Sequence, residues 1–265
     1  MLDTRMRRRQ KLRNAAQGML LFGGMLGLLA LLAWVVFGPM GLVWVLLLGV
    51  FALALRPRVP PQWMLSMYGA QPLPEVAAPR LHHIVDVLAE RSSLEMAPEL
   101  YVVRSPMMNA FAVGRRDASV LAVTDGLVRG LSSRELVGVL AHEISHIRAD
   151  DLWIMSLSDT VGRATHALAY AGALLLIFAV PAAADGGISP LLAAAILVVA
   201  PTLVTLLQLA LSRSREYDAD LEAAAMTGDP VGLAAALARL ERAEGRIWER
   251  TMVRSRVPSA TVFRR

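Results

Sequence analysis

Residues Ser132–Leu152 read SSRELVGVLAHEISHIRADDL. Ser132 followed three positions later by Glu135 has the form of a capping box, which opens a helix. Leu136, Val139, Leu140, Ile144 and Ile147 then recur at spacings of three and four, and neither proline nor glycine interrupts Val139–Leu152. The pattern predicts an amphipathic helix of about 20 residues. His142 and His146, four apart, stand one turn above each other on one face, so both imidazoles can reach a single ion. Glu143 lies beside them, where a carboxylate can act as a base.

This is the HExxH arrangement used for metal-assisted peptide hydrolysis. With 5 histidines in 265 residues, one accidental match is expected about 0.004 times per chain. A catalytic zinc needs a third protein ligand and an open position for water. Positions 149 and 152 are Ala and Leu, so no histidine completes a longer HExxHxxGxxH motif. The chain has no cysteine, which excludes disulfides and thiolate ligands and suits a reducing compartment. The third ligand is therefore expected to be a distant carboxylate.

The chain is apolar for its length, with 55% hydrophobic residues and a mean hydropathy of +0.50. The excess lies in blocks. Met19–Leu55 carries no charge, with Gly38-Pro39 near its middle, and is too long for one crossing of a bilayer. Two spans joined by a tight turn are expected, rather than a signal peptide, whose apolar core is much shorter. Ala164–Ala184 and Gly186–Leu211 are also uncharged and are split by Asp185. Four transmembrane helices in two hairpins follow. The segment after Gly41 is short and is expected to tilt little or to thin the bilayer.

Arg5, Arg7, Arg8, Arg9, Lys11 and Arg13 precede the first span, and Arg56 and Arg58 follow the second. The turn Gly38–Met40 and the loop Asp185–Gly187 carry no positive charge. The N-terminus, catalytic segment and C-terminus are therefore expected on the cytoplasmic side. The net charge of +5 meets the bilayer surface, and nucleic acid is not needed to explain it. Of the 27 basic residues only Lys11 is a lysine, a bias that hints at a GC-rich bacterial genome.

The divisions expected are a basic tail 1–18, a hairpin 19–55, a first catalytic part 56–163, a second hairpin 164–211 and a second catalytic part 212–265. Pro57–Pro74 reads as a linker and Pro79–Ser92 as an amphipathic helix with Leu81, Ile84, Val85 and Leu88 inward. His82 and His83, neighbours about 100° apart on that helix, read as solvated. Leu100–Arg104, Asn109–Gly114 and Ser119–Thr124 predict a small, mostly antiparallel sheet. Asn109–Gly114 reads either as an edge strand able to accept an extended polypeptide or as an internal strand. Asp229-Pro230 opens a last helix with Leu233, Leu237 and Leu240 inward. His166 falls at the entry of the third span and reads as interfacial, so a transporter reading finds no ionisable residue deep in a span.

For the third ligand the best segment is Ser212–Asp220, SRSREYDAD. Glu216 and Asp220 share a helix face, whereas Asp218 points about 200° away and Glu222 about 240°. One of the pair can bind zinc while the other hydrogen-bonds a ligand histidine or a nearby arginine.

HEISHIRADD, SRSREYDAD and the upstream NAFAVG together resemble the HtpX-like membrane zinc metallopeptidases, in the family that also holds the CaaX prenyl endopeptidases. The resemblance covers roughly 109–240. It implies that His142, His146 and Glu216 bind one zinc ion per chain and that Glu143 is catalytic. It matches Asn109 to a residue near the cleft and Asp220 to the aspartate ending the second motif, which is expected among the catalytic residues. Asn109, Ala110, Phe111 and Ala112 become candidate substrate contacts. The implied protein is a mainly α-helical α+β membrane protein, with a small sheet and a zincin-like HExxH domain. It would be a zinc endopeptidase of the bacterial cytoplasmic membrane, cleaving misfolded or membrane proteins, with the lipid bilayer as a further partner. A CaaX-type processing peptidase and an inactive membrane scaffold are the alternatives. Fewer spans and a shorter chain set it apart from the CaaX enzymes, and a short C-terminal region ending Val257-Pro258-Ser259 and a basic tail is a second departure from the family's pattern.

Overall fold

The α5 helix, Ser133–Ala149, follows from its first turn. The Ser132 hydroxyl accepts from the Glu135 N–H, and the Glu135 carboxylate accepts from the Ser132 N–H at 2.8 Å. These bonds satisfy two helix-end donors. In this computed structural model residues 4–55, 65–179 and 189–256 are described. The elements in order are α1 (Thr4–Phe37), α2 (Pro39–Leu55), β1 (Gln71–Pro72), α3 (Pro79–Arg91), β2 (Glu99–Val103), β3 (Ala110–Arg115) and β4 (Ala118–Thr124). Then come α4 (Asp125–Gly130), α5, α6 (Asp151–Ala179), α7 (Pro190–Thr227) and α8 (Pro230–Arg256). They divide into two compact units, residues 1–59 with 151–218 and residues 60–150 with 219–265.

The first unit is helical. Gly38, at φ +61°, turns α1 into α2, a conformation open to glycine at no steric cost. Its N–H donates to the Trp34 carbonyl at 2.8 Å. Met25, Leu29, Val161 and Val204 form one buried cluster, and Leu32, Ala169, Leu197 and Ala200 another. Most other large apolar side chains point outward, as with Leu20 at 77% and Val198 at 72% exposure. So much exposed apolar surface needs a solvent other than water. Among the described residues two helical segments are long and apolar enough to cross a bilayer, Arg13–Phe37 and Pro190–Thr227, and Pro39–Phe51 is a shorter apolar helix. The loop expected at Asp185–Gly187 lies outside the described residues.

The second unit holds a four-stranded sheet in the order β1-β2-β4-β3. The sheet is mixed, where a mostly antiparallel one was expected: β2 runs parallel to β4, while β1–β2 and β3–β4 are antiparallel. β2 and β4 are the internal strands, and β4 is buried from Ser119 to Thr124. β3 occupies one edge. β1 lies inside the expected linker, whose residues 57–64 are outside the described ones. α5 packs against β3, α3 and α8. At Gly138 an added Cβ would stand 3.1 Å from the Leu233 Cα, so α8 lies directly on the α5 backbone.

Three further details depart from the sequence reading. The helix carrying His142 has 17 residues, because Asp150 adopts the left-handed conformation at φ 56° and α6 starts afresh at Asp151. SRSREYDAD, expected just beyond the span at 186–211, lies in the same unbroken helix α7, which also passes through Pro201. On α8, Leu233 is buried, but Leu237 is 37% exposed and Ala236 takes the inward position.

Candidate metal centre

α5 brings His142 and His146 together by its pitch alone, their rings 4.8 Å apart and edge to face. Their Nε2 atoms are 3.2 Å apart. On the other side of the His142 ring, Nδ1 lies 2.9 Å from Asp220 Oδ1. With a proton on Nδ1 donated to that carboxylate, Nε2 keeps its lone pair and turns towards His146. The His142 side chain is only 11% exposed and Asp220 39%. Asp220 sits on α7 four residues after Glu216, on the same face. One ligand atom each from His142, His146 and Glu216 lies within 4.8 Å of the other two. Among the described residues this is the only such group of three or more metal-ligating side chains.

Two imidazole nitrogens and a carboxylate oxygen are the donor set of a hydrolytic zinc site. Tetrahedral zinc with bonds of about 2.0–2.1 Å sets its ligand atoms about 3.3 Å apart, and the two Nε2 atoms stand at that separation. A carboxylate on the remote nitrogen of a ligand histidine fixes tautomer and ring orientation. The residues fit the ion.

Ion pairs fix the surrounding helices. On α5, Arg148, two residues beyond His146, pairs with Glu222. Asp151, 3% exposed, pairs with Arg215 at 3.5 Å. At the other end of α5, Arg134 donates from Nε and Nη2 to the two carboxylate oxygens of Asp229. Asp229 also caps α8, accepting from the Gly232 N–H at 2.9 Å. The bond from Arg134, then the backbone bond from Gly232, hold the Asp229 carboxyl down to about 2, and the hydrogen bond and charge of Asp229 raise Arg134. Glu135 is likewise lowered, first by the Ser132 backbone N–H, then by its hydroxyl, with Arg239 3.3 Å away contributing.

Asn109 stands just ahead of β3, and its N–H donates to the Thr124 hydroxyl at 3.0 Å. Ala110, Phe111 and Ala112 lie on β3, paired with Val123, Ala122 and Leu121. Thr124, not picked out from the sequence, also caps α4 and donates to the Met107 carbonyl at 2.6 Å. Its place between a β-rich run and Asp125 was the available signal. His82 Nδ1 is 3.1 Å from the Ala78 carbonyl, and His166 Nε2 is 3.3 Å from the Thr205 hydroxyl. Neither joins the cluster.

A family model described as Peptidase family M48 matches residues 75–259, further in both directions than the motifs alone suggested. The chain is 42% identical over 181 residues to a Protease HtpX homolog from Acaryochloris marina, covering 68% of this chain and 61% of that one. To one from Acidiphilium cryptum it is 43% identical, covering 67% and 61%. To one from Gemmatimonas aurantiaca it is 34% identical, covering 88% and 83%. The chain thus spans about three fifths of the length of the first two relatives. The crystal structure of S. mikatae Ste24p is similar at a TM-score of 0.47 and 20% identity, over 88% of this chain and 59% of that one. With the family model covering more than half of its residues, the chain belongs to peptidase family M48.

Proposed function

We propose that the protein is a zinc-dependent endopeptidase embedded in a bacterial cytoplasmic membrane. The observation that carries this reading is the convergence of His142, His146 and Glu216 with Asp220 on the remote nitrogen of His142. His142, His146 and Glu216 would hold the ion and Asp220 would orient His142. When bound, zinc lowers the pKa of water towards about 7 and polarises a carbonyl. Glu143 takes a proton from the attacking water and returns it to the leaving amine. Asp220 keeps the His142 proton on Nδ1 and so keeps Nε2 a donor of electrons.

α1 with α2, and α6 with α7, supply two membrane hairpins, so that α5 and the end of α7 reach the same, cytoplasmic, side. The absence of positive charge at Gly38–Met40 supports that orientation. Substrates are polypeptides, chiefly misfolded or membrane-bound ones. β3 supports this choice, because an edge strand beside the HExxH helix can pair with any extended main chain and asks little of side chains. Elemental analysis tests the reading: one zinc per chain is expected for the wild type and a large loss for His142→Ala. Equal zinc in both would overturn it.

A further inference from the structure

The uncharged stretch 14–37 of α1 begins immediately after Arg13, and the uncharged stretch 190–212 of α7 ends immediately before Arg213. The two helices are tied at this level by Asn14, whose amide donates to Asp218. Just below, they enclose a groove of about 650 Å³. Its apolar lining is Leu206, Leu209 and Ala210, with Leu206 and Leu209 more than half exposed, and its polar lining is Asn14, Gln17, Ser212, Ser214, Arg213 and Tyr217. Arg213 is the cation of that lining. Arg215 is turned away, 3.5 Å from Asp151, and the Asp218 carboxylate is engaged by Asn14. Tyr217 is 72% exposed, as an aromatic side chain at a membrane–water boundary commonly is.

The groove therefore changes along its length from hydrocarbon to hydrogen-bond donors with one positive charge. We propose that it is a binding site for one anionic phospholipid, the phosphate at Arg213 and an acyl chain along Leu206 and Leu209. Charge complementarity selects an anionic headgroup over a zwitterionic one, because basic pockets at the cytoplasmic ends of membrane helices attract anionic lipid. The proposal rests on the membrane-spanning reading of α1 and α7.

The test uses the full chain in phosphatidylcholine vesicles doped with phosphatidylglycerol, followed by extraction and native mass spectrometry. Phosphatidylglycerol should be retained several-fold over its share of the bilayer. Arg213→Gln should abolish the enrichment, Arg213→Lys should keep it, and Arg129→Gln, an exposed arginine elsewhere, should leave it unchanged. Undiminished enrichment in Arg213→Gln, or none in the wild type, overturns the site. A second arm adds inorganic phosphate alone in detergent. Protection from heat equal to that by phosphatidylglycerol would overturn the assignment to lipid. Release of the chain from vesicles by alkaline carbonate is a separate outcome, overturning the membrane reading itself.

Discussion

Asp220 Oδ1 lies 2.9 Å from His142 Nδ1, and the two residues are separated by 78 positions and held on different helices. The contact turns an HExxH helix into a candidate metal centre, because it decides which nitrogen of His142 faces His146. Glu216 is on the same face of α7 one turn earlier, and its side chain is one methylene longer.

The first expected outcome concerns these two carboxylates. Asp220→Ala should weaken zinc binding by about 10–100-fold, as loss of a hydrogen bond to a ligand histidine does. Glu216→Ala removes a donor atom and should weaken it more. Competition against a chelating dye measures both; reversed losses would exchange the two roles.

Glu143→Gln keeps the shape of α5 but removes the carboxylate proposed as the base. Zinc content should stay at one per chain while cleavage of an unfolded protein substrate falls to background. A variant that loses both would show that Glu143 holds the metal site together rather than moving a proton.

Much of this arrangement is legible in the sequence because local physics writes it there. The Ser132–Glu135 box, the α1–α2 turn at Gly38 and the extent of α3 all rest on neighbours within a few residues. The parallel pairing of β2 with β4 does not, since side-chain alternation records which faces are buried and not which way a neighbouring strand runs. β4 came closest to declaring itself: six consecutive buried residues from Ser119 mark a strand covered on both faces. The break at Asp150 was missed because neither glycine nor proline signals it; aspartate tolerates the left-handed conformation better than most residues. Leu237 failed for a similar reason. Helical spacing sets a stripe, but α8 meets α5 at Gly138, and that close approach favours Gly232, Leu233 and Ala236 over a bulkier face. For the third carboxylate, helical spacing narrows the choice to Glu216 and Asp220, which share a face of α7, and the resemblance to a family is what selects Glu216 from the pair.

Gly138 gives a packing test. Gly138→Ala places a methyl group 3.1 Å from the Leu233 Cα, and the gain in helix propensity of up to about 1 kcal/mol offsets part of the crowding. Gly138→Val adds branches with nowhere to go and should cost about 1–3 kcal/mol. Thermal unfolding of the purified protein should therefore rank wild type near Gly138→Ala and both well above Gly138→Val.

Asp229 predicts an acid limb. Its carboxyl is held at about 2 in the fold, below its ordinary value of 3.8. Folding is thus stabilised by this group above about pH 4, and the contribution disappears as pH falls through about 2. Asp229→Asn keeps an acceptor for the Gly232 N–H but loses the charge facing Arg134. It should be less stable than wild type at neutral pH, more stable than Asp229→Ala, and should lack this part of the acid dependence. Unfolding curves at pH 7 and pH 3 distinguish the three.

The final expectation concerns how substrate is held. β3 pairs only with β4 in the sheet, in register from Ala110 opposite Val123 to Arg115 opposite Ala118. In an antiparallel pair alternate residues spend their N–H and C=O groups on the partner, so every second residue of β3 presents both groups outward. A peptide added there would form the same alternating bonds. Proline cannot donate, so a proline scan through a cleaved peptide should impair cleavage at every second position near the scissile bond and be milder between them. Phe111→Ala tests the alternative of side-chain recognition. Phe111 faces the cluster around Leu65 and Val103 and stands 5.0 Å from the Tyr68 ring, so it belongs to the core side of β3. Its loss should lower stability without changing the pattern of proline sensitivity. Uniform tolerance of proline along the peptide would remove strand addition as the binding mode and leave Asn109–Ala112 as a structural edge.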